Sequence, residues 1–173
     1  MTSKQDRIGD IRNGLLVETA HNIAYTAWGV GVQASIFTVY NRIIVHALWC
    51  EVGETDLVGV GCLMLFNFAS TVPAVGAQPL SAVCTDIDTF TRGRRISLTG
   101  TTIGTAANVD GSPGISVGPA TSAILGHGPT TLGVMSVGQL GCLTSIAVLT
   151  AGTAQFGVLF TPFDPDANVV ALM

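Results

Sequence analysis

The stretch QASIFTVYNRIIVHALWCEVG (33–53) decides the fold, because its apolar residues recur with a period of two. Its alternating sets are Phe37 and Val39 against Ile36, Thr38 and Tyr40, and then, after Asn41, Ile43, Val45, Ala47 and Trp49 against Arg42, Ile44, His46 and Leu48. Successive side chains of a strand point to opposite faces, so the pattern predicts two strands or one bent strand. Both faces are largely apolar, which is typical of a sheet covered on each side.

Shorter runs of the same kind fill the rest of the chain and are separated by Gly and Pro. These runs are DLVGVGCLMLFNFAS, SAVCTDIDT, RGRRISLTGT, GISVG, TTLGVMSVG, GCLTSIAVLTAG and TAQFGVLFTPF. With these runs, the chain is expected to form about eight to ten short strands. The strands are spaced along the sequence as in a β-sandwich or a β-barrel. No sustained helical stripe is present. We therefore predict an all-β protein with one antiparallel, jelly-roll-like β-sandwich domain over residues 31–173.

The charged residues are few and unevenly placed. They form 10% of the 173-residue chain, against roughly 25% in ordinary globular proteins. The N-terminal group is Lys4, Asp6, Arg7, Asp10, Arg12 and Glu18, whereas residues 96–163 contain only Asp110. This contrast predicts a polar N-terminal arm, residues 1–30. Its aromatic residues Tyr25 and Trp28 are expected to dock on the β-sandwich body of the same chain or on a neighbouring molecule.

A mean hydropathy of +0.56 raises the question of a membrane protein. The two best uncharged windows are interrupted by Pro73, Pro79 and Gln155, and the second half has no aromatic girdle, so we expect no membrane association. The polar N-terminus does not resemble a secretory signal, which favours synthesis in the cytoplasm. In that compartment thiols stay reduced, and we predict buried free thiols. The four cysteines are Cys50, Cys62, Cys84 and Cys142.

Two short motifs resemble functional sites but lack the residues that such sites need. Residues 114–118 match G-x-S-x-G around Ser116, yet no acid lies between Ser116 and His127 and no His follows Asp164. Residues 164–168 open like a calcium loop, but Val169 stands where that loop needs Gly. We interpret the first as a chance match and the second as a turn. No enzyme activity, cofactor or metal site is predicted.

The cluster of Arg92, Arg94 and Arg95 is the only basic one in the chain body. A net charge of -4 argues against a nucleic-acid partner, which usually meets a broad basic face. We expect the cluster to form ion pairs or docking contacts with Asp86 and Asp88, because the guanidinium fork matches a carboxylate. His46 lies in an alternating strand and is expected to be a packed histidine.

Three stretches, IFTVYNRIIVHALWCEVG, VCTDID and TAGTAQFGVLFTPFDPDANVVALM, are set in a Gly-, Thr- and Ala-rich chain. In this respect residues 33–173 resemble small tailed-bacteriophage virion proteins. The resemblance implies a capsid decoration, or cement, protein: a β-sandwich or jelly-roll unit, often a homotrimer. Such a protein sits on the capsid surface of the virion and holds neighbouring subunits of the major capsid protein together.

We predict that the subunit interfaces use the aromatic residues of the arm, the arginine cluster and the apolar C-terminal strand. The predicted interface residues are Tyr25, Trp28, Arg92, Arg94, Arg95, Val169, Val170 and Leu172. The C-terminal NVVALM is expected to finish a strand that is covered by the same subunit or by a symmetry mate. Two alternatives remain open: a tail or adaptor component of the virion, and a β-sandwich module that binds carbohydrate or another ligand.

Overall fold

The computed structural model describes residues 15–20, 22–28, 34–81, 86–99, 108–109, 133–145 and 149–173. Within these ranges the chain forms strands and one short 3₁₀ helix, Tyr25–Ala27. The strands are β1 Leu15–Glu18, β2 Ile23–Ala24, β3 Ala34–Tyr40, β4 Ile43–Val52, β5 Leu63–Ser70, β6 Gln78–Pro79, β7 Arg95–Thr99, β8 Asn108–Val109, β9 Gly133–Met135, β10 Gly138–Ser145, β11 Thr153–Pro162 and β12 Asn168–Ala171. In this part of the chain no helix is long and apolar enough to cross a membrane.

The strands form two antiparallel sheets that pack against each other. The first, sheet A, has the order β1-β11-β4-β7-β8, with β2 also pairing with β11 and β9 also pairing with β4. The second, sheet B, has the order β12-β3-β10-β5-β6. The predicted all-β sandwich is therefore confirmed, while the jelly-roll connection stays a prediction.

The core between the sheets includes Trp28, whose side chain is fully buried by its own chain. The indole ring meets the Phe156 ring edge-on, with 5.6 Å between ring centroids and 86° between ring planes. Its Nε1–H donates to the carbonyl oxygen of Ile23 at 3.3 Å. This arrangement suits a tryptophan, because it buries the apolar ring and still satisfies its one polar group.

The sandwich begins earlier in the chain than the predicted arm boundary at residue 30. Strands β1 and β2 pair with β11, which would otherwise have an open edge. Leu15 and Val17 pack against the core from β1. Residues 15–20 and 22–28 are thus part of the sandwich, and the rest of the predicted arm lies outside the described residues.

The stretch that decides the fold forms two strands, joined by a turn at Asn41, whose φ is +61°. A bulge then changes which residues of β4 face the core. Val45 lies opposite Phe160 and Ala47 lies opposite Leu159, so His46 is an extra residue. An extra residue reverses the alternation. The core-facing residues are Ile43, Val45, Leu48, Cys50 and Val52.

The prediction that Ile43, Val45, Ala47 and Trp49 share one face is therefore wrong, because Ala47 and Trp49 face away from the core. These two side chains form a separate buried cluster with Leu159. All three lie on the outer face of sheet A, Ala47 and Trp49 because of the bulge and Leu159 by the regular alternation of β11. The expectation of apolar residues on both faces of this strand is met, but the two sets change places halfway along it.

The C-terminal strand β12 is covered by its own subunit, as one of the two alternatives predicted. It pairs with β3 along its length, and Val169 is buried in the core. Val170 and Leu172 point the other way and are exposed. The Ala20 N–H donates to the Met173 carbonyl at 3.2 Å, which joins the edges of the two sheets.

The cysteines that the structure describes are buried thiols, as predicted. They are Cys50, Cys62 and Cys142. Complete burial raises the pKa of the Cys142 thiol to about 12, because the thiolate would lose its hydration. Cys84 lies outside the described residues.

Candidate functional site

One end of the sandwich is formed by turns that meet after β3, β5, β9 and β11. The Thr71 N–H donates to the Val137 carbonyl at 2.9 Å, which joins the β5 exit to the turn between β9 and β10. The Phe163 N–H donates to the Arg42 carbonyl at 2.9 Å, which joins the other two turns. The pairing of Ile43 with Met135 connects the two halves.

Five large apolar side chains are exposed around these turns, and we call this surface the apolar end. They are Tyr40, Val72, Val75, Val134 and Phe163, each 43–65% exposed. The run TVPAVGAQP (71–79) contributes two of them, and every residue in it is exposed and uncharged. Exposed apolar residues are ordinary singly, but a group at one end of a domain indicates a surface that binds something.

Phe163 is held in place by an ion pair beside it. The Arg42 guanidinium donates from Nη2 to Asp164 Oδ1 at 2.7 Å and from Nε to Oδ2 at 3.0 Å. It also lies 4.6 Å from the centroid of the Phe163 ring. These hydrogen bonds hold the pKa of Asp164 below its ordinary value and raise that of Arg42. The apolar end therefore presents an aromatic ring on a turn with little freedom.

The same contacts hold residues 164–168, which resemble the start of a calcium-binding loop, in a turn. The carboxylate of Asp164 is bound by Arg42, and the Ala167 N–H donates to the Asp164 carbonyl at 3.0 Å. The Asn41 side chain donates to the Asp166 carbonyl at 3.3 Å. The predicted turn is thus confirmed, and it is pinned to the β3–β4 turn.

The opposite end of the sandwich carries most of the charged side chains that the structure describes, and we call it the charged end. These side chains are Glu51, Glu54, Asp56, Asp86, Asp88, Arg92, Arg94 and Arg95. They lie on the loops around residues 51–61 and 86–95, which are joined by hydrogen bonds such as Leu57 N–H to the Phe90 carbonyl at 2.8 Å.

The arginines of the charged end make contacts within the chain. Arg95 pairs with Glu51, its cross-strand neighbour, and its guanidinium lies 5.4 Å from the Trp49 ring centroid. The Arg94 guanidinium lies 4.1 Å from the Phe90 ring centroid. The Arg92 side chain is exposed, and its backbone N–H donates to Asp56 Oδ1 at 2.7 Å.

The expected pairing of this cluster with Asp86 and Asp88 is corrected by these contacts. Asp88 Oδ2 accepts the Gly61 N–H at 2.8 Å, and Asp86 Oδ1 accepts the Asp88 N–H at 3.2 Å. The carboxylate that pairs with Arg95 is Glu51, because the antiparallel register of β4 and β7 places these two residues directly opposite each other.

A polar cleft of about 370 Å³ opens at the charged end. Its lining residues are Asn22, Glu51, Val52, Gly53, Glu54, Arg92 and Gly93. Asn22 has a φ of +55° and accepts the Glu54 N–H at 2.8 Å. In the part of the chain that the structure describes, no three His, Cys, Asp or Glu side chains are grouped closely enough to hold a metal ion.

The predicted interface residues do not form one surface. Trp28 and Val169 are buried in the core of their own chain, so the prediction that they contact a partner is corrected. Tyr25 is half-buried and packs against the core. The arginines lie at the charged end. Val170 on β12 and Leu172, which directly follows the strand, are exposed and remain available to a partner.

Sequence reasoning missed the apolar end, which is the largest group of exposed apolar residues described. Its one readable signal is the uncharged run 71–79, where Pro and Gly indicate a loop that has no polar side chain to solvate it beyond Thr and Gln. Ser116 and His127 lie outside the described residues. Comparisons with protein-family models, with curated proteins and with solved structures found no match to this chain.

Proposed function

We propose that this protein is a structural component of a bacteriophage virion, of the capsid decoration type, and that it bridges subunits of the major capsid protein. The apolar end carries the proposal: five exposed apolar side chains gather at one end, and most of the described charges lie at the other. A two-ended molecule of this kind suits a position on a shell, with one end docked and the other in water.

The apolar end has the composition of a protein interface. Interface cores are depleted in charged residues and enriched in Tyr, Phe and Arg, which here are Tyr40, Phe163 and Arg42. The charge of Arg42 is already offset by Asp164, so burying this surface would leave neither of the two without a partner. Docking would also cost little conformational entropy, because a hydrogen bond to Asn41 already holds the β11–β12 turn in place before binding.

Association between copies is the second part of the proposal. Val170, on the outer side of β12, is 42% exposed, and Leu172, which directly follows the strand, is 50% exposed. A trimer joined near this strand would present three apolar ends to the shell. Linked contacts of this kind bind far more tightly than one alone, because the second and third bind from an already high local concentration.

The test is binding to virions of the phage whose genome carries this gene, prepared from a strain in which the gene is deleted. Purified protein is added and the particles are separated on a density gradient. We expect the wild-type protein to sediment with the particles and Phe163→Ser to bind about tenfold or more weakly, as for a hot-spot residue.

The matched control is Val60→Ser, because Val60 is 80% exposed but lies at the charged end. This variant should bind as the wild-type protein does. Equal loss in both variants, or unchanged binding of Phe163→Ser, would contradict docking through the apolar end. Binding confined to tails in electron micrographs of the same samples would favour the tail or adaptor alternative over the capsid.

The polar cleft favours a second candidate, a binding module. Its lining combines the carboxylate of Glu54, the guanidinium of Arg92 and the amide of Asn22. Such groups suit a polar ligand such as a carbohydrate. A glycan array would test it: binding that is lost in Arg92→Ala and kept in Phe163→Ser would support this candidate.

A further inference from the structure

The polar cleft at the charged end is held in shape by hydrogen bonds between the two loops that form it. The Gly93 N–H donates to the Val52 carbonyl at 2.9 Å. The Arg92 N–H donates to Asp56 Oδ1 at 2.7 Å. Because the chain makes these bonds by itself, the cleft is formed before a ligand binds, and binding costs little ordering of the backbone.

Asn22 forms one wall of the cleft, and Gly53 lets its side chain lie close to the floor. A Cβ at position 53 would overlap Asn22 Oδ1 and Thr153 Oγ1. Without that atom, Asn22 Oδ1 accepts the Glu54 N–H at 2.8 Å and the Thr153 hydroxyl at 3.3 Å. The oxygen of this amide is therefore occupied, and its Nδ2 is the atom that can donate to a ligand.

Two side chains of opposite charge line the cleft and are exposed to a ligand. Within the described ranges, neither the Arg92 guanidinium nor the Glu54 carboxylate forms an ion pair. The other charged side chain of the lining, Glu51, is already paired with Arg95. The cleft therefore offers a guanidinium and an amide as donors and a carboxylate as an acceptor.

We propose that this cleft binds a carboxylated sugar, such as a hexuronate, with the sugar carboxylate on Arg92. The planar guanidinium matches a carboxylate through two parallel hydrogen bonds, which a neutral sugar cannot accept in that geometry. Hydroxyl groups of the sugar ring donate to Glu54 and accept from Asn22 Nδ2. A volume of about 370 Å³ lies at the small end of the range for small-molecule sites and suits a ligand of this size.

A hydroxylated ligand fits these three side chains better than a free amino acid does. The ammonium group of an amino acid could donate to Glu54, but it has no lone pair with which to accept from Asn22. A hydroxyl group both donates and accepts, so neighbouring hydroxyls on one ring can serve both residues. A second anionic group on the ligand would be repelled by Glu54, which favours a sugar with one carboxylate.

The position of the cleft is compatible with docking through the apolar end. The cleft lies at the opposite end of the sandwich, so a docked protein would present it outward. Only this orientation depends on capsid docking. The inference itself deepens the second candidate function, the binding module, and rests on it.

The test is an NMR titration of the ¹⁵N-labelled full chain with methyl β-D-glucuronide and with methyl β-D-glucoside at constant ionic strength. The two probes differ only in that a carboxylate replaces a hydroxymethyl group. We expect the glucuronide to shift the amides of residues 53, 54, 92 and 93, with a Kd of about 1 mM for a ligand of this size. The glucoside should bind about tenfold or more weakly, because it has no group for the guanidinium.

Two arginine variants separate a contact in the cleft from an effect of net charge. Arg92→Gln should weaken binding of the glucuronide about tenfold and leave binding of the glucoside unchanged. Arg42→Gln is the matched control, because it removes the same charge at the apolar end and should bind the glucuronide as the wild-type protein does. Equal loss in both variants would overturn the proposal.

The remaining outcomes distinguish this inference from the functions on which it builds. Equal affinity for the two probes would overturn the assignment of a carboxylated sugar and leave the broader carbohydrate-binding candidate standing. Tighter binding of glycine, added as a zwitterionic probe, would also overturn it. No saturable shift with either sugar would overturn both the inference and that candidate. Failure of virion binding would leave these titrations intact and count only against capsid docking.

Discussion

Trp49 and Gly157 show how one missing side-chain atom allows a packing arrangement. The two residues are directly opposite in β4 and β11, and a Cβ at position 157 would overlap the indole ring. The ring therefore lies over the backbone of its neighbour and closes the outer cluster with Ala47 and Leu159. Any larger residue at 157 would have to displace a side chain that is 8% exposed.

At the residue scale we predict a pH effect from His46. Burial lowers the pKa of its imidazole, which lies 2.8 Å from Thr161 Oγ1. A base whose pKa is lower in the folded state is harder to protonate there. His46 therefore makes the protein less stable as the pH falls from about 6.5, the unfolded value, through the folded one. We expect His46→Gln to reduce the shift in urea midpoint between pH 7.5 and pH 5.5.

Each midpoint is measured by circular dichroism at both pH values in the same buffer ions. His21 and His127 remain in the variant, so any dependence that persists belongs to them or to the carboxylates. An identical shift in wild-type protein and His46→Gln would contradict the predicted role of this residue.

The bulge at His46 could not be predicted from the sequence. The pattern around residues 43–49 predicted a strand with two apolar faces, and this is correct. The bulge is invisible in one strand alone, because it depends on Val45 and Ala47 lying opposite the consecutive residues Phe160 and Leu159. The predicted common face of Ile43, Val45, Ala47 and Trp49 was wrong for this reason alone.

At the scale of elements, two turns on different sheets are joined into one unit. The β3–β4 turn and the β11–β12 turn meet through Arg42, which binds Asp164 by its side chain and accepts two backbone N–H groups by its carbonyl. Each turn connects sheet A with sheet B. Fixing one against the other therefore fixes the spacing of the two sheets at the apolar end.

We predict that Arg42→Gln loosens this unit without unfolding the sandwich. The amides of residues 42, 163 and 164 should exchange hydrogen about two- to fivefold faster, because local opening no longer breaks an exposed ion pair. The measurement is hydrogen exchange by mass spectrometry. Arg92→Gln is the control, because that side chain lies at the charged end. Faster exchange of these three amides in Arg92→Gln alone, or in neither variant, would contradict the prediction.

Individual turns and strands were easier to predict from the sequence than their contacts with one another. The Asp164–Asn168 segment was predicted as a turn from residues that favour turns, and it is one. Its contact with the β3–β4 turn was not predictable, because 122 residues separate Arg42 from Asp164. The strand pairing that brings them together is a property of the sheets and not of either turn.

At the scale of the whole molecule, the three buried thiols act as reporters of cooperative unfolding. Cys50 and Cys142 belong to the core between the sheets and Cys62 closes its edge before β5; all three have no measurable exposure. Their sulfurs become reactive only when the sheets separate. In the folded state burial also keeps the Cys142 thiol protonated, because it raises the pKa to about 12.

We predict that these thiols react with Ellman's reagent at one common rate. The protein used is Cys84→Ser, which removes the remaining cysteine. In rising urea the rate should follow global unfolding measured by tryptophan fluorescence. One thiol that reacts much earlier than the others would contradict a single cooperative core and locate the part that opens first.

The all-β class could be predicted from the whole chain because alternation and Gly–Pro punctuation occur almost throughout. The separation of apolar and charged ends could not. Val72 and Val134 lie far apart in sequence, and only the sheet order brings both to one end. The predicted interface, chosen by residue type, therefore mixed core residues such as Trp28 with exposed ones such as Leu172.

The order of strands in the two sheets has a consequence for how this protein is made. β1 pairs with β11, and β3 is bordered by β12, so strands from the first quarter of the chain wait for partners from its last quarter. On the ribosome, β3 and β4 emerge long before these partners exist. Folding dominated by such distant pairings is slow, and the open edges of the waiting strands are where nascent chains would associate wrongly. The yield of native protein should therefore depend on chaperones that shield these early strands until the last quarter of the chain has been made.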